Sequence, residues 1–212
     1  MLDAPANRES VAVVDLDIGP AKPRSSCHVL GIGGTSRPGS TTERALGAAL
    51  AAAEAAGASV TLLGAADLDL PLYAPDRPLL DARAARLLEL VQEADGIILA
   101  SPGYHGGISG LVKNALDYLE ELRDAPRPYL DGRAVGCIVC AHGWQATVTT
   151  LQSMRSTVHA LRGWPTPLGI ALNSAEPLFD RNGELASTET AARFAMLAEQ
   201  VVGFARARAA TP

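Results

Sequence analysis

Aromatic side chains are scarce in this chain, 4% of 212 residues, and its basic residues are dispersed within a net charge of −5. The stacking platform and the phosphate-neutralising patch of a nucleic-acid binder are therefore both missing. Long apolar runs are missing as well. The longest are strand-sized, far short of the roughly 20 residues that cross a bilayer, so no membrane-spanning helix is expected. The first 26 residues carry Asp3, Arg8, Glu9, Asp15 and Asp17, with no basic start leading into an unbroken apolar core, and so do not read as a secretory signal. Cysteines number only three. An odd count without an export signal points to a reducing, cytoplasmic compartment. Cys137-Ile138-Val139-Cys140 has C-x-x-C spacing but lies in a strand-like apolar run, where residues three apart face opposite sides. No second cysteine pair or nearby histidine pair completes a zinc set, so these thiols and Cys27 are expected to pack, and no metal is expected.

What is present is a 48% hydrophobic content, enough for one domain that buries about 70% of its unfolded surface. Residues 1–26 read as a partly disordered extension, whose segment Val11 to Leu16 could pair at a sheet edge or dock on another subunit; residues 27–212 read as the domain. Five runs have the character of strands buried on both faces: Cys27 to Gly33, Ser59 to Leu63, Gly96 to Ser101, Ala134 to Ala141 and Leu168 to Leu172. Helical patterns alternate with them at Ser40 to Ala56, Leu80 to Ala94, Gly110 to Arg123, Ala146 to Arg162 and Ser187 to Arg208, with Gly57 as a stop. Strict β-α alternation predicts a doubly wound α/β fold, a parallel sheet with helices on both faces. Ligands of such sheets bind beyond the carboxyl ends of the strands, where the winding reverses.

Two loops fall at such ends. Gly31 to Thr42 has the glycine spacing of a Walker A loop from Gly34 to Gly39, but Ser40 stands where the phosphate-reaching lysine belongs. It also approaches the dinucleotide pattern at Gly31 and Gly33, with Ser36 in place of the third glycine. What remains is a loop dense in hydroxyls, Thr35, Ser36, Ser40, Thr41 and Thr42, with one arginine, Arg37, at a helix amino terminus. That set suits a terminal phosphate monoester; the duller reading is that Ser40 or Thr41 caps the helix. The second loop, Ser101 to Gly110, holds four glycines in eight residues, which lets backbone amides approach a planar or anionic ligand.

Together the loops resemble the NADPH-dependent FMN reductase family. Gly34-Thr35-Ser36-Arg37-Pro38-Gly39-Ser40 is similar to the family's G-S-x-R-x-x-S phosphate loop and Leu70-Pro71-Leu72-Tyr73 to its L-P-x-Y segment. Pro102-Gly103-Tyr104-His105-Gly106, followed by Gly110-Leu111-Val112-Lys113-Asn114-Ala115-Leu116-Asp117, resembles its P-E-Y-N-x loop and G-x-L-K-N-A-L-D helix. The resemblance implies a flavodoxin-like, five-stranded parallel sheet in the order 2-1-3-4-5. It also implies that Thr35, Arg37, Ser40 and Thr42 bind the FMN phosphate, and that Pro102, Gly103, Tyr104, His105 and Gly106 line the isoalloxazine ring. Glycine at 103 replaces the usual glutamate and histidine at 105 the usual asparagine, so contacts made by the backbone carry over better than those made by side chains. His142, Gly143 and Trp144 stand where the family carries a further glycine-rich loop beside the flavin.

The implied activity is hydride transfer from NADPH or NADH to FMN and on to a small acceptor such as free flavin, a quinone or an azo compound. No dedicated acid or base is required, because the flavin carries the chemistry. Duller readings stand beside this: Tyr104 as a rim residue, His105 and His142 as surface loop histidines, Trp144 as a packing or subunit contact. Arg77 and Arg127 are candidates for the extra phosphate of NADPH, against the reading of both as solvated surface arginines. Lys113, Asn114 and Asp117 are assigned by the resemblance to subunit contacts in a homodimer or homotetramer. The alternatives in function are a flavodoxin-type one-electron carrier and a non-catalytic FMN-binding protein.

Overall fold

The computed structural model describes residues 27–75 and 81–210; the amino-terminal extension and Arg77 lie outside the described residues. Five parallel strands form the sheet: β1 (His28–Gly33), β2 (Ser59–Leu63), β3 (Gly96–Tyr104), β5 (Ala134–Ala141) and β6 (Trp164–Asn173). The short β4 (Gly107–Ile108) pairs antiparallel with the end of β3. The sheet order is β2-β1-β3-β5-β6, which is 2-1-3-4-5 once the short return strand is set aside. Helices α1 (Thr41–Ala55) and α5 (Thr188–Ala209) cover one face; α2 (Ala82–Glu93), α3 (Gly110–Asp117) and α4 (Trp144–Ala160) cover the other.

Alternation along the strands divides the core. Leu30 and Ile32, Ile97 and Leu99, and Val135, Cys137 and Val139 face α2, α3 and α4, while Val29, Ile98, Ala100, Ile138 and Cys140 face α1 and α5. Cys137 and Cys140 therefore lie on opposite faces of the sheet, both buried. Burial pushes their thiols up to about 12 and about 11, which makes them packing groups and not nucleophiles at neutral pH. Gly57 (φ +84°) ends α1 as read, with the Ala58 N–H returning to the carbonyl of Ala53.

Several boundaries differ from the reading, among them β3, which runs past Ser101 to Tyr104. The last strand starts at Trp164 and not at Leu168, because Pro165 and Pro167 sit on an edge strand where no outward N–H is required. The third helix keeps α geometry only to Asp117 and tightens into a 3-10 turn over Tyr118–Leu122. The fourth begins at Trp144, two residues early, so Trp144 belongs to a helix and not to the loop.

Candidate functional site

The loops after β1, β3 and β5 gather at the carboxyl rim of the sheet, where the chain leaves β1 toward β2 and leaves β3 toward β5. This is the reversal point at which doubly wound sheets bind ligands.

The first loop begins with a close approach of backbones. A Cβ on Gly33 would lie 2.0 Å from the carbonyl oxygen of Ala100, and the Gly34 N–H donates to that same oxygen at 3.2 Å. Thr35 Oγ accepts from the Arg37 N–H at 3.1 Å and folds the loop on itself. Ser40 is the N-cap of α1, its hydroxyl accepting from Glu43 N at 3.3 Å, so the capping role weighed for it is realised. Thr42 is buried, with its hydroxyl beside the Cys140 thiol. Thr41 is half-buried, whereas Ser36 and Arg37 are exposed. The Arg37 guanidinium has no acidic partner among the described residues. An unpaired cation thus stands before a helix amino terminus whose first N–H groups carry positive partial charge.

The second loop is a hairpin. β3 runs on through Pro102 and Gly103 to Tyr104, turns at His105 and Gly106, and returns as β4, pairing Gly103 with Ile108 and Tyr104 with Gly107. Both turn residues have positive φ, +52° and +82°, the type I′ geometry that suits asparagine or histidine followed by glycine. Beneath it, Ser101 Oγ accepts from the Ser109 N–H at 2.9 Å and donates to the Pro102 carbonyl, while Ser109 caps α3. Gly103 is confined: a Cβ would meet Thr150 Oγ1 at 2.8 Å and Ala141 Cβ at 3.0 Å. The glutamate of the motif has no room in this packing. Tyr104 is 55% exposed, with its ring at the rim.

The third loop, His142 and Gly143, leads straight into α4. Gly143 is the N-cap, at φ +101°, and no side chain caps this helix, whereas Ser40, Asp81, Ser109 and Ser187 cap the other four. Trp144 is 53% exposed in its first turn. Gly39, Gly106 and Gly143, one in each loop, all have positive φ, and a Cβ on any of them would find no heavy atom within 4 Å. The three loops therefore present open backbone toward the rim, a surface with room for a flat ligand.

Two residues given other roles, or none, by the sequence organise the surroundings. Asn114 is an internal clamp: its side chain donates to the carbonyls of Leu70 and Pro71 and accepts from Tyr73 N, fixing the Leu70 to Tyr73 segment. Tyr118 adds a bond to Pro71 O, and its ring meets that of Tyr73 edge-on at 5.2 Å. Burial, then the hydrogen bond to Glu121, pushes the Tyr73 phenol up to about 12. Asn173 holds the third loop from below, and its only sequence signal is a polar residue ending an apolar strand. Arg127 is removed from the site, its guanidinium lying against Ala94 O just before β3, at the opposite end of the sheet.

The profile of the NADPH-dependent FMN reductases matches residues 27–176. The chain belongs to that family. Within it, the chain is similar to the NADPH azoreductase of Bacillus sp. strain OY1-2, 31% identical over 118 residues, 55% of this chain and 61% of that protein. It is also similar to the FMN-dependent NADPH-azoreductase of Staphylococcus aureus, 32% identical over 120 residues, 56% of this chain and 60% of that protein. The matched region thus spans about three fifths of these relatives. The fold is shared with RosB, whose structure holds 8-demethyl-8-formylriboflavin-5'-phosphate: TM-score 0.70, 20% identity, 88% of this chain and 82% of that one.

Proposed function

We propose that this reductase-family chain is an FMN-dependent NAD(P)H oxidoreductase that reduces a small acceptor of the azo, quinone or free-flavin class. The observation that carries the reading is the convergence, at the sheet's reversal point, of three outward-opening glycine loops with Arg37, unpaired among the described residues, at the start of α1. Arg37, Ser36, Thr35, Thr41 and the first amides of α1 would hold the phosphate, with Ser40 and Thr42 shaping that turn from below. Pro102 to Gly106, with Tyr104 at its side, would carry the ring, and His142, Gly143 and Trp144 would border it.

When bound, FMN supplies the hydride and electron chemistry. The protein's share is positioning and electrostatics. The uncapped amides of Trp144, Gln145 and Ala146 set N–H dipoles at the rim, where negative charge on the ring would be held, and the hairpin braced by Ser101 and Ser109 would support the ring. Tyr104 and Trp144 leave an apolar, accessible face for a nicotinamide and then an acceptor to stack. No carboxylate stands among Pro102 to Gly106 or His142 to Trp144, the residues that would border the ring, which favours such an open reductase site over a one-electron carrier that surrounds its ring with acid.

In cellular terms, no helix among the described residues is long and apolar enough to cross a membrane; the reading places the protein in the cytoplasm. It also takes the protein to be a homodimer or homotetramer, with support from the exposed Trp144 and Val148 one turn apart on α4. The test is spectroscopic. Purified protein loaded with FMN is expected to bleach when NADPH or NADH is added without oxygen, and Arg37→Ala is expected to weaken FMN binding by about tenfold or more with folding intact. Bound flavin that stays oxidised with both nucleotides would instead support the carrier, and undiminished FMN affinity in the variant would remove the phosphate from α1.

A further inference from the structure

We propose that Asn173 is a positioning residue for the flavin ring, acting through the loop that opens α4; the proposal rests on the flavin reading above. Asn173 ends β6 and is buried. Its Oδ1 accepts from the Gly143 N–H at 2.8 Å and from the Ala175 N–H at 3.1 Å, and its Nδ2 donates to Glu176 Oε1 at 3.2 Å. The neighbouring Ser174 N–H bonds back to Ala141 O at 2.9 Å, so the turn after β6 is joined to the last residue of β5.

The consequence lies in the peptide between His142 and Gly143. A glycine at φ +101° with open space around it has no steric reason to keep one conformation. What selects this one is the inward hydrogen bond to Asn173. With the Gly143 amide held inward, the next three amides, those of Trp144, Gln145 and Ala146, begin α4 without a cap and face the rim. Loss of the acceptor frees the Gly143 peptide to rotate and takes His142 and Trp144 with it. An amide side chain is the one group of this size that serves both ends of the arrangement, because it accepts from two N–H groups and donates to a carboxylate. Aspartate in its place would keep the acceptor but set a second carboxylate against Glu176.

The experiment measures the affinity of FMN and of riboflavin by flavin fluorescence, with the visible circular dichroism of bound flavin and the melting temperature alongside. Asn173→Ala is expected to weaken both flavins by the same factor, about tenfold for one lost hydrogen bond to a ring-bearing loop. The ratio of the two affinities, which reports the phosphate contact at α1, is expected to stay unchanged while the dichroism of the bound ring shifts. Asn173→Asp is expected to lose affinity similarly, and Asn173→Asp with Glu176→Gln to return within threefold of the parent, because glutamine restores a donor facing the new carboxylate. That pair decides the matter even if the alanine variant fails to fold. The proposal is overturned if the folded single variants bind both flavins within twofold of the parent, if the loss falls on FMN alone, or if the double variant gives no recovery. A parent protein that binds neither flavin sinks the functional reading itself, a different result from variants that match a flavin-binding parent.

Discussion

Arg133 has no exposed surface, yet it makes no ion pair among the described residues. Its guanidinium instead donates to four carbonyls, those of Gln92, Ala94, Tyr129 and Asp131. Two of these belong to the end of α2, where the helix dipole favours a cation. Burial, then the neighbouring Arg127, lowers its pKa to about 9, which still leaves it charged at neutral pH. Arg133→Ala is expected to cost about 3 kcal/mol or more in urea unfolding, since it leaves buried carbonyls unpaired around a cavity. A loss under 1 kcal/mol would mean that water replaces the guanidinium. Nothing in the sequence distinguishes this arginine from fifteen others, because its role depends on where β5 starts relative to α2.

At the level of elements, the hairpin at the end of β3 is the part of the site most exposed to local strain. Gly106→Ala places a Cβ at φ +82° and is expected to cost about 1 kcal/mol, whereas His105→Asn supplies the residue that best tolerates the first turn position and is expected to gain a few tenths. Urea midpoints that move in the opposite order would contradict the turn type. Helix α2 carries a different sensitivity. Its cap, Asp81, accepts from the Arg83 N–H at 2.8 Å and pairs with the Arg83 side chain, and that side-chain bond, ahead of the backbone one, pulls the carboxyl from 3.8 to about 2. A folded value below the ordinary one means that the cap's contribution is complete above about pH 4 and fades as pH falls toward 2. Asp81→Ala is therefore expected to flatten the acid limb of the stability curve over that interval; an unchanged limb would show that the cap is not coupled to folding.

The whole molecule is a scaffold whose stability and ligand affinity are linked. A ligand that binds only the folded chain adds about 2.7 kcal/mol at a hundred times its Kd, about 5 to 10 °C in Tm for a domain of this size. FMN is expected to produce that shift, and riboflavin a smaller one at equal concentration because it leaves Arg37 unpaired. Equal shifts from both would show that the phosphate adds nothing.

Hydrophobic patterning and glycine placement in the chain alone determined the β-α alternation, the burial of Cys137 and Cys140 on opposite faces, the stop at Gly57 and the two glycine-rich loops at the carboxyl ends of the strands. These properties are local: strand and helix periods, and turns that need positive φ, are written into neighbouring residues. Tertiary structure alone decided that the second loop is a hairpin, that Gly103 has no space for a side chain, that Thr42 turns to Cys140, and that Asn114 and Asn173 brace loops far away in the chain. Each of those outcomes depends on which atoms a distant element brings within about 3 Å, and a hydrogen bond or a steric limit across such a gap leaves no trace in the order of residues on either side of it.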